Sequence, residues 1–207
     1  AISVPHDLPP SIALLVILSC DVAKGIRKLN PMPEAGVLVT GGGAIGLLTV
    51  AMLLAYGVTS VDVVEPLADR RKVAGLLGAR ATYSLDEPIP DHYRFGVECS
   101  SRQQAFALLQ HSVQAHGKIA VIADGNVEAL VLTPEFHHKE LTIIGSSDGW
   151  DSHQHGRWFF EYVRRARPPL EALFTLTIPH TDLPATFASL AEEPHRAIKV
   201  LVEYPAE

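Results

Sequence analysis

The chain has 207 residues, enough for one good-sized domain or for one domain and part of another. Its formal net charge of −6 argues against a nucleic-acid-binding protein, because such proteins are usually basic or carry a basic stripe. Hydrophobic residues make up 47% and charged residues 19%, a composition that argues against disorder and permits a large core. The two cysteines, Cys20 and Cys99, are too few for a disulfide framework and favour a reducing, cytoplasmic location.

The amino-terminal segment lacks the basic and apolar pattern of a signal peptide. Because the first residue is Ala1, we expect a processed, trimmed or partial piece of a longer protein. Residues 35–61 form a stretch of 27 residues without a formal charge, which is long enough to span a bilayer. The stretch contains six glycines, three of them consecutive, so it favours a buried strand, a turn and a buried helix over a membrane span.

Short β-branched runs alternate with helical patterns from residue 37 onward. The pattern predicts strands at 37–40, 61–64, 95–99, 118–123 and 141–144, and helices at 44–56, 68–77 and 102–112. A weaker apolar run at 129–132, ending before Pro134, fits an edge strand. Alternation of this kind is typical of right-handed βαβ units. We therefore predict an α/β fold, a doubly wound parallel sheet (the Rossmann fold) with helices on both faces.

The two ends of the chain have a different character. An apolar helix is predicted from Ser11 after a proline-rich loop. After residue 149, the pattern predicts a helix with an aromatic face at 150–167, a strand at 173–178, a helix capped by Thr181 and a strand at 197–202. These elements form a carboxyl-terminal α/β extension.

A glycine-rich loop follows the first predicted strand and opens the next helix. Gly41-Gly42-Gly43-Ala44-Ile45-Gly46 matches G-x-G-x-x-G, which is a weak signal alone and a stronger one in this context. The first glycine permits the tight turn, the second lets a pyrophosphate approach the backbone, and the third lets the helix pack closely on the strand. The helix N-terminus then offers free N–H groups to phosphates.

Glu65 ends the second predicted strand, 24 residues after Gly41. An acidic residue at about this spacing binds the adenosine ribose hydroxyls in dinucleotide-binding domains. A carboxylate there repels a 2′-phosphate, so the loop favours NAD over NADP, although Arg70 and Arg71 leave NADP possible. The alternative is a glutamate that only caps the following helix.

Several segments together resemble the medium-chain dehydrogenases, the superfamily of zinc alcohol and polyol dehydrogenases. The resemblance is carried by VLVTGGGAIGLLTVAMLLAYG, VDVVEP, RRKVAGLLGA, ELTIIGSSDG and HRAIKVLVEY, in that order. It implies an oxidoreductase that transfers a hydride between an alcohol, polyol-like or sugar-like, and a carbonyl.

The resemblance also implies a division of the chain. Residues 1–21 would lead in from a GroES-like catalytic domain that this sequence lacks, 22–148 would form the cofactor domain, and 149–207 would return to the catalytic domain. Because the resemblance places most catalytic groups in the absent domain, we expect the 207-residue chain to be inactive by itself. No catalytic residue is assigned.

By position, the resemblance also implies a set of cofactor-binding residues. Glu65 would hold the adenosine ribose, with Arg70 beside it, and Ser100 would flank the adenine. The remaining residues would contact the pyrophosphate and the nicotinamide half; they are Gly41, Gly43, Ala44, Ile45, Gly46, Ile122, Ala123, Asp124, Ser146, Asp148 and Arg196.

A catalytic zinc site is not expected from these residues. The position that ligates zinc in the family falls on Val16, 25 residues before Gly41, so Cys20 would need a four-residue deletion to become a ligand. A lone cysteine more often fills apolar space. The histidines at 137–138 and at 153 and 155 lack companion ligands at metal spacing and are interpreted as solvated loop residues.

Residues Asp148, Asp151 and His153 could border a substrate pocket or could be ordinary surface residues. Two other functional classes stay open. One is a methyltransferase, which shares the glycine loop, and the other is a non-catalytic dinucleotide-binding or redox-sensing module.

The resemblance implies a homodimer in which cofactor domains pair through an edge strand. The matching segment is 129–133, which is apolar and free of the lysines that blunt exposed strand edges. The expected partners are therefore a second copy of the chain and a small alcohol or carbonyl substrate, with no nucleic acid and no membrane.

Overall fold

The computed structural model describes residues 2–124 and 128–205, and its centre is a parallel sheet of six strands. The strands are β1 (Gly36–Thr40), β2 (Ser60–Val64), β3 (Ala81–Tyr83), β4 (Tyr93–Glu98), β5 (Val113–Val121) and β6 (Thr142–Gly145). Their spatial order is β3-β2-β1-β4-β5-β6, so the order reverses between β1 and β4. This is the doubly wound order of the Rossmann fold, and it confirms the predicted fold class.

Helices cover both faces of the sheet. In chain order they are α1 (Pro10–Ala13), α2 (Val16–Leu29), α3 (Ala44–Ala55), α4 (Ala68–Leu76), α5 (Gln103–Ser112) and α6 (Pro134–His138). Strand β1 shows the two layers directly, because Val37 and Val39 join one apolar cluster and Leu38 joins the other. All three side chains are fully buried, as a central parallel strand requires.

The carboxyl-terminal extension contains α7 (Ser152–Ala166), β7 (Phe174–Pro179), α8 (Leu183–Glu192) and β8 (Lys199–Glu203), and β7 and β8 pair as a parallel two-stranded sheet. Helix α7 has a strongly apolar face, and its Phe159, Phe160 and Val163 belong to the same buried cluster as α2 and α3. The expected boundary between residues 21 and 22 falls inside α2. The division into three segments remains a prediction.

One charged residue sits in a buried strand. Asp62 of β2 is fully buried, and its carboxylate accepts hydrogen bonds from Arg80 Nε at 2.9 Å and from the Tyr93 hydroxyl at 2.6 Å. Burial and the adjacent carboxylate raise the pKa of Tyr93, so its hydroxyl stays a donor. This network satisfies the charge and joins β2 to the segments that begin β3 and β4.

Four local predictions are wrong or incomplete. Strand β3 was not predicted, and the apolar helix predicted from Ser11 is interrupted at residues 14–15, between α1 and α2. Thr181 lies in a short 3-10 turn, and Asp182 is the residue that precedes α8. Residues 128–133 form no strand.

The backbone of 128–133 bonds to glutamine side chains of α5 and not to a neighbouring strand. Gln103 accepts from the Val131 N–H at 2.6 Å and donates to its carbonyl at 3.3 Å, so it occupies both main-chain groups of that residue. Gln110 accepts from the Thr133 N–H at 2.8 Å. These side chains satisfy polar groups that an edge strand would leave open.

Within residues 2–124 and 128–205, no helix is both long enough and apolar enough to cross a bilayer.

Candidate functional site

The three fingerprint glycines have different surroundings. Gly41 has φ +94°, and a Cβ there would lie 3.0 Å from the Cys99 backbone. A Cβ on Gly46 would lie 1.8 Å from the Gly41 carbonyl oxygen, so this position tolerates no side chain. A Cβ on Gly43 would meet no atom within 4 Å, because the space before the N-terminus of α3 is open. The loop therefore leaves room at its second glycine, where an anion would meet the free N–H groups of a twelve-residue helix.

Glu65 is fixed beside this loop. Its side chain is 4% exposed, and Oε2 accepts a hydrogen bond from Gly42 N at 2.6 Å. Oε1 accepts from Leu67 N at 2.9 Å, so the start of the next segment holds the other oxygen. Each oxygen can accept a further bond, and the carboxylate lines the adjoining cavity. Glu65 thus contacts both the glycine loop and the residue that precedes α4, and its role as a ribose ligand remains a prediction.

A cavity of about 350 Å³ opens at the carboxyl ends of β1, β2 and β4, next to the point where the strand order reverses. Ligands of doubly wound sheets bind at this place. The residues that line it are Gly41, Gly43, Val64, Glu65, Pro66, Leu67, Arg70, Leu85, Cys99, Ser100, Arg102, Gln104, Ala105 and His195. The predicted residues Gly41, Gly43, Glu65, Arg70 and Ser100 are thus brought together.

A buried glutamate organises the wall that Ser100 forms. Glu98 ends β4 with no exposed surface, and its Oε1 accepts hydrogen bonds from Ser100 N, at 2.7 Å, and from Ser100 Oγ. Its backbone carbonyl accepts from Ile122 N at 3.0 Å and from Ala123 N at 3.2 Å. Glu98 was not among the predicted site residues, although an acidic residue at the end of an apolar strand is the signal that could have indicated it.

The thiol of Cys99 lies in the same wall. Burial raises the pKa of this thiol to about 12, so it is protonated at neutral pH. Its Sγ lies 3.5 Å from the Thr49 hydroxyl. Cys99 thus contributes a partly buried, protonated thiol to the cavity wall.

The arginines near the cavity already have partners in the protein. Arg70 donates to the carbonyl oxygens of His195, at 3.4 Å, and of Ala197, at 3.3 Å. Arg102 pairs with Glu128 at 2.8 Å. Arg196 donates to Ser189 Oγ at 2.6 Å and lines a groove beside α4, so it is His195 that the tail contributes to the main cavity.

The other predicted residues lie at the carboxyl ends of β5 and β6, across the reversal point. Ile122 and Ala123 follow β5, and Ser146 N donates to the Val121 carbonyl at 2.9 Å. The Ser146 hydroxyl is buried and has no hydrogen-bond partner in the described part of the chain. Asp124 lies next to residues 125–127, which are outside the described ranges. Ala44 and Ile45 form the first turn of α3.

His155 is not a solvated loop residue, contrary to the sequence prediction. It lies on α7 with 1% of its surface exposed, and its Nε2 is 2.8 Å from Ser19 Oγ on α2. Burial, assisted by the charge of Arg27, lowers its pKa to about 4. Cys20 is also buried and donates to the Trp150 carbonyl at 3.3 Å. Among residues 2–124 and 128–205, no three His, Cys, Asp or Glu side chains are grouped to hold a metal ion.

Comparisons with known proteins agree with this geometry, although no protein-family model matches the chain. The sequence is 31% identical over 143 residues to L-threonine 3-dehydrogenase of Thermococcus kodakarensis, an alignment that takes in 67% of this chain and 39% of that protein. The structure resembles L-idonate 5-dehydrogenase of Escherichia coli with a TM-score of 0.85 at 14% identity, over 96% of this chain and 58% of that one.

A putative zinc-binding dehydrogenase of Sinorhizobium meliloti, solved with NADP, superposes with a TM-score of 0.81 at 21% identity over 96% of this chain and 61% of that one. The chain thus spans less than two thirds of each of these proteins. The resemblance of the chain to the medium-chain alcohol and polyol dehydrogenases is thereby confirmed in sequence and in fold.

Proposed function

We propose that this chain binds a nicotinamide dinucleotide at the carboxyl edge of its sheet and is the cofactor-binding part of an alcohol or polyol dehydrogenase. One observation carries the proposal: an open glycine loop at the N-terminus of α3 and a buried carboxylate, Glu65, share one cavity at the reversal point. A pyrophosphate needs the first feature and a ribose needs the second.

In this proposal each part of the site has one task. Gly43 and the first N–H groups of α3 hold the pyrophosphate, and Glu65 accepts hydrogen bonds from the adenosine ribose hydroxyls. The adenine lies against the wall that includes Ser100. Residues 122–124 and the backbone of Ser146 and Asp148 serve the nicotinamide half. When bound, the nicotinamide ring supplies or accepts the hydride.

The proposed cofactor is NAD(H) in preference to NADP(H). A 2′-phosphate would face the Glu65 carboxylate, and the two arginines that line the cavity are already engaged with tail carbonyls and with Glu128. Calorimetric titration of the chain with NADH and NADPH tests this, and we expect about tenfold tighter binding of NADH, which corresponds to about 1.4 kcal/mol. Replacing Glu65 with Gln keeps a hydrogen-bond acceptor but removes the charge, so it should reduce the difference between the NADH and NADPH affinities. Equal or tighter binding of NADPH would contradict the role of Glu65.

The proposed reaction is reversible hydride transfer between an alcohol, polyol-like or sugar-like, and a carbonyl. The dehydrogenase names of the proteins that this chain resembles support it. A non-catalytic dinucleotide-binding or redox-sensing module would share the binding site without the turnover.

We predict that the 207-residue chain alone has little or no dehydrogenase activity, because its sequence carries no recognisable set of metal ligands and no acid–base relay. The measurement is NADH formation with a panel of alcohols, and NADH binding by the same sample serves as the control for folding. Robust turnover of any alcohol would show that the active site lies within these residues.

Two further proposals concern the setting of the protein. The two cysteines are both free, which supports a reducing, cytoplasmic location. Self-association is proposed through the segment 129–133, where Val131 and Leu132 are about half exposed.

A further inference from the structure

Three side chains on one face of α2 bond to the loop that follows β6. Cys20 Sγ donates to the Trp150 carbonyl at 3.3 Å, and Lys24 Nζ donates to the Ser147 carbonyl at 2.7 Å. Lys28 Nζ donates to the carbonyl of Gly145 at the start of this loop. The three donors are spaced by four residues, so they lie one above the other along the helix. We call Cys20, Lys24 and Lys28 the carbonyl ladder, and residues 145–150 the ladder loop.

The loop and the helix are also in close steric contact. A Cβ on Gly149 would lie 2.3 Å from Cys20 Sγ, and a Cβ on Gly25 would lie 2.5 Å from Ile122 Cδ1 at the end of β5. The Lys24 ammonium group stands 5.2 Å from the centre of the Trp150 ring, which is within cation–π range. Helix α2 therefore fixes the loop through packing as well as through hydrogen bonds.

One residue of the ladder loop and one just beyond it have positive φ. Asp148 has φ 42°, and Asp151, just beyond the loop, has φ 43°; both are in the left-handed region without being glycine. Such conformations persist where the surroundings over-determine them, and they cluster at ligand clamps. The ladder takes up backbone carbonyls of the loop, while the buried Ser146 hydroxyl lacks a partner in the described part of the chain. This hydroxyl is therefore free to bond a water molecule or a ligand.

The position of the loop identifies the part of the ligand. A doubly wound sheet consists of two mononucleotide-binding halves, one on each side of the reversal point. The glycine loop and Glu65 belong to the half formed by β1, β2 and β3, and the cavity extends from them to the carboxyl end of β4. The ladder loop leaves β6 in the other half, where the second mononucleotide has to lie.

We propose that Lys24 and Lys28, supported by Cys20, are positioning residues that hold the ladder loop ready for the nicotinamide half of the dinucleotide. The proposal rests on the proposed function. Because the loop is ordered during folding, a bound nicotinamide does not have to order it. Without the carbonyl ladder, the entropy cost of ordering the loop is incurred when the ligand binds. Only the affinity for a ligand that reaches the loop is then lowered.

The test compares two ligands that differ only beyond the pyrophosphate and its attached ribose. NADH reaches the ladder loop, whereas ADP-ribose carries the adenosine half, the pyrophosphate and a ribose without nicotinamide. Calorimetric titration of the full chain carrying Lys24→Met and Lys28→Met should show NADH binding weakened about tenfold and ADP-ribose binding changed less than about twofold. Amide hydrogen exchange at 145–150 should become faster in the same variant without any ligand.

Matched variants separate positioning from a general loss of charge. Lys72→Met removes a lysine that pairs with Asp69 on α4, and it should change the ratio of the two affinities by less than twofold. The single variant Lys24→Arg, with Lys28 unchanged, keeps a cationic donor over the Trp150 ring and should retain wild-type NADH affinity.

The possible outcomes separate the two proposals. Equal weakening of NADH and ADP-ribose, no change in either, or unchanged exchange at 145–150 would overturn the positioning role alone. A wild-type chain that binds neither ligand would reject the proposed function, and the positioning role with it.

Discussion

At the scale of single residues, the glycine loop shows how one motif combines positions of opposite tolerance. Gly41 and Gly46 are constrained by the protein itself, since a Cβ at either would press on backbone atoms. Gly43 is constrained by nothing in the protein, so a requirement for glycine there comes from the ligand. The G-x-G-x-x-G pattern alone does not separate these reasons, whereas the distances do.

This difference leads to a paired prediction. Gly43→Val should lower the melting temperature by no more than about 4 °C, because the new side chain meets open space and the φ of −74° suits any residue. The same variant should lose NADH binding, because the side chain fills the space for the pyrophosphate. Gly46→Ala should instead lose about 2 kcal/mol or more of unfolding free energy, because its Cβ would overlap the Gly41 carbonyl. Thermal melts and NADH titrations check both, and normal NADH binding by Gly43→Val would refute the proposed pyrophosphate site.

At the scale of elements, the sequence predicted the five longer strands of the central sheet and the helices between them. Continuous apolar runs and amphipathic helices are local patterns, and the parallel sheet follows from their alternation. The glycine loop and Glu65 were predictable for the same reason, because their spacing is fixed within one βαβ unit. Strand β3 was missed because three residues are too short to show a period, and its pairing with β2 alone defines it.

The other features that were not predicted depend on contacts between residues that are distant in the sequence. The sequence of 128–133 fits an edge strand. In the structure, two glutamines of α5, more than 20 residues away in the sequence, bond the backbone of this segment. His155 was predicted to be a polar loop residue. It lies on α7, which packs on α2, and its partner Ser19 is 136 residues earlier in the sequence. His195 enters the cavity because Arg70 holds the backbone of 195–197.

We predict a pH dependence for the contact between α2 and α7. His155 is neutral in the folded state with a pKa of about 4, whereas an unfolded histidine takes up a proton near pH 6.5. Above that value both states are neutral and the group contributes no pH dependence. As the pH falls from 6.5 to 4, the unfolded state gains the proton first, so stability should fall by up to roughly 3 kcal/mol. The contribution of neutral His155 to stability is therefore fully present above pH 6.5 and is lost below pH 4.

Urea unfolding of wild type and His155→Gln at pH 7 and pH 4.5 measures this effect. Glutamine can still bond Ser19 and does not titrate in this range, so the variant should lose clearly less stability on acidification. Identical losses in the two proteins would show that His155 is protonated in the folded state as readily as in the unfolded one.

At the scale of the whole molecule, the proposed binding residues and a buried polar network lie at different places in the parallel sheet. The glycine loop, Glu65, the turn organised by Glu98 and the ladder loop all follow the carboxyl ends of strands. The buried network of Asp62, Arg80 and Tyr93 has no part in the cavity and ties three strands together elsewhere. Substitutions at Gly43, at Glu65 and in the ladder loop should therefore change affinity, whereas substitutions in the buried network should change stability.

The proposed self-association belongs to the same scale. The strand predicted at 129–133 is wrong, because Gln103 and Gln110 bond main-chain groups of Val131 and Thr133. Dimerisation through this segment remains a prediction. These bonds leave Val131 and Leu132 facing solvent, 54% and 49% exposed, beside main chain that is held in place. Rigid apolar side chains of this kind favour burial against a second copy of the same surface.

The corresponding prediction is that the wild-type chain is a dimer and that Val131→Asp combined with Leu132→Asp is a monomer. Two carboxylates on the proposed face would meet two more on the partner across a two-fold axis, and their desolvation and repulsion oppose association. Leu76→Asp is the matched control, because Leu76 lies on α4 and is 65% exposed. Light scattering gives the mass of each protein, and we expect the control to remain a dimer. A monomeric wild type, or a double variant that still dimerises, would place any dimer interface on another face of the molecule.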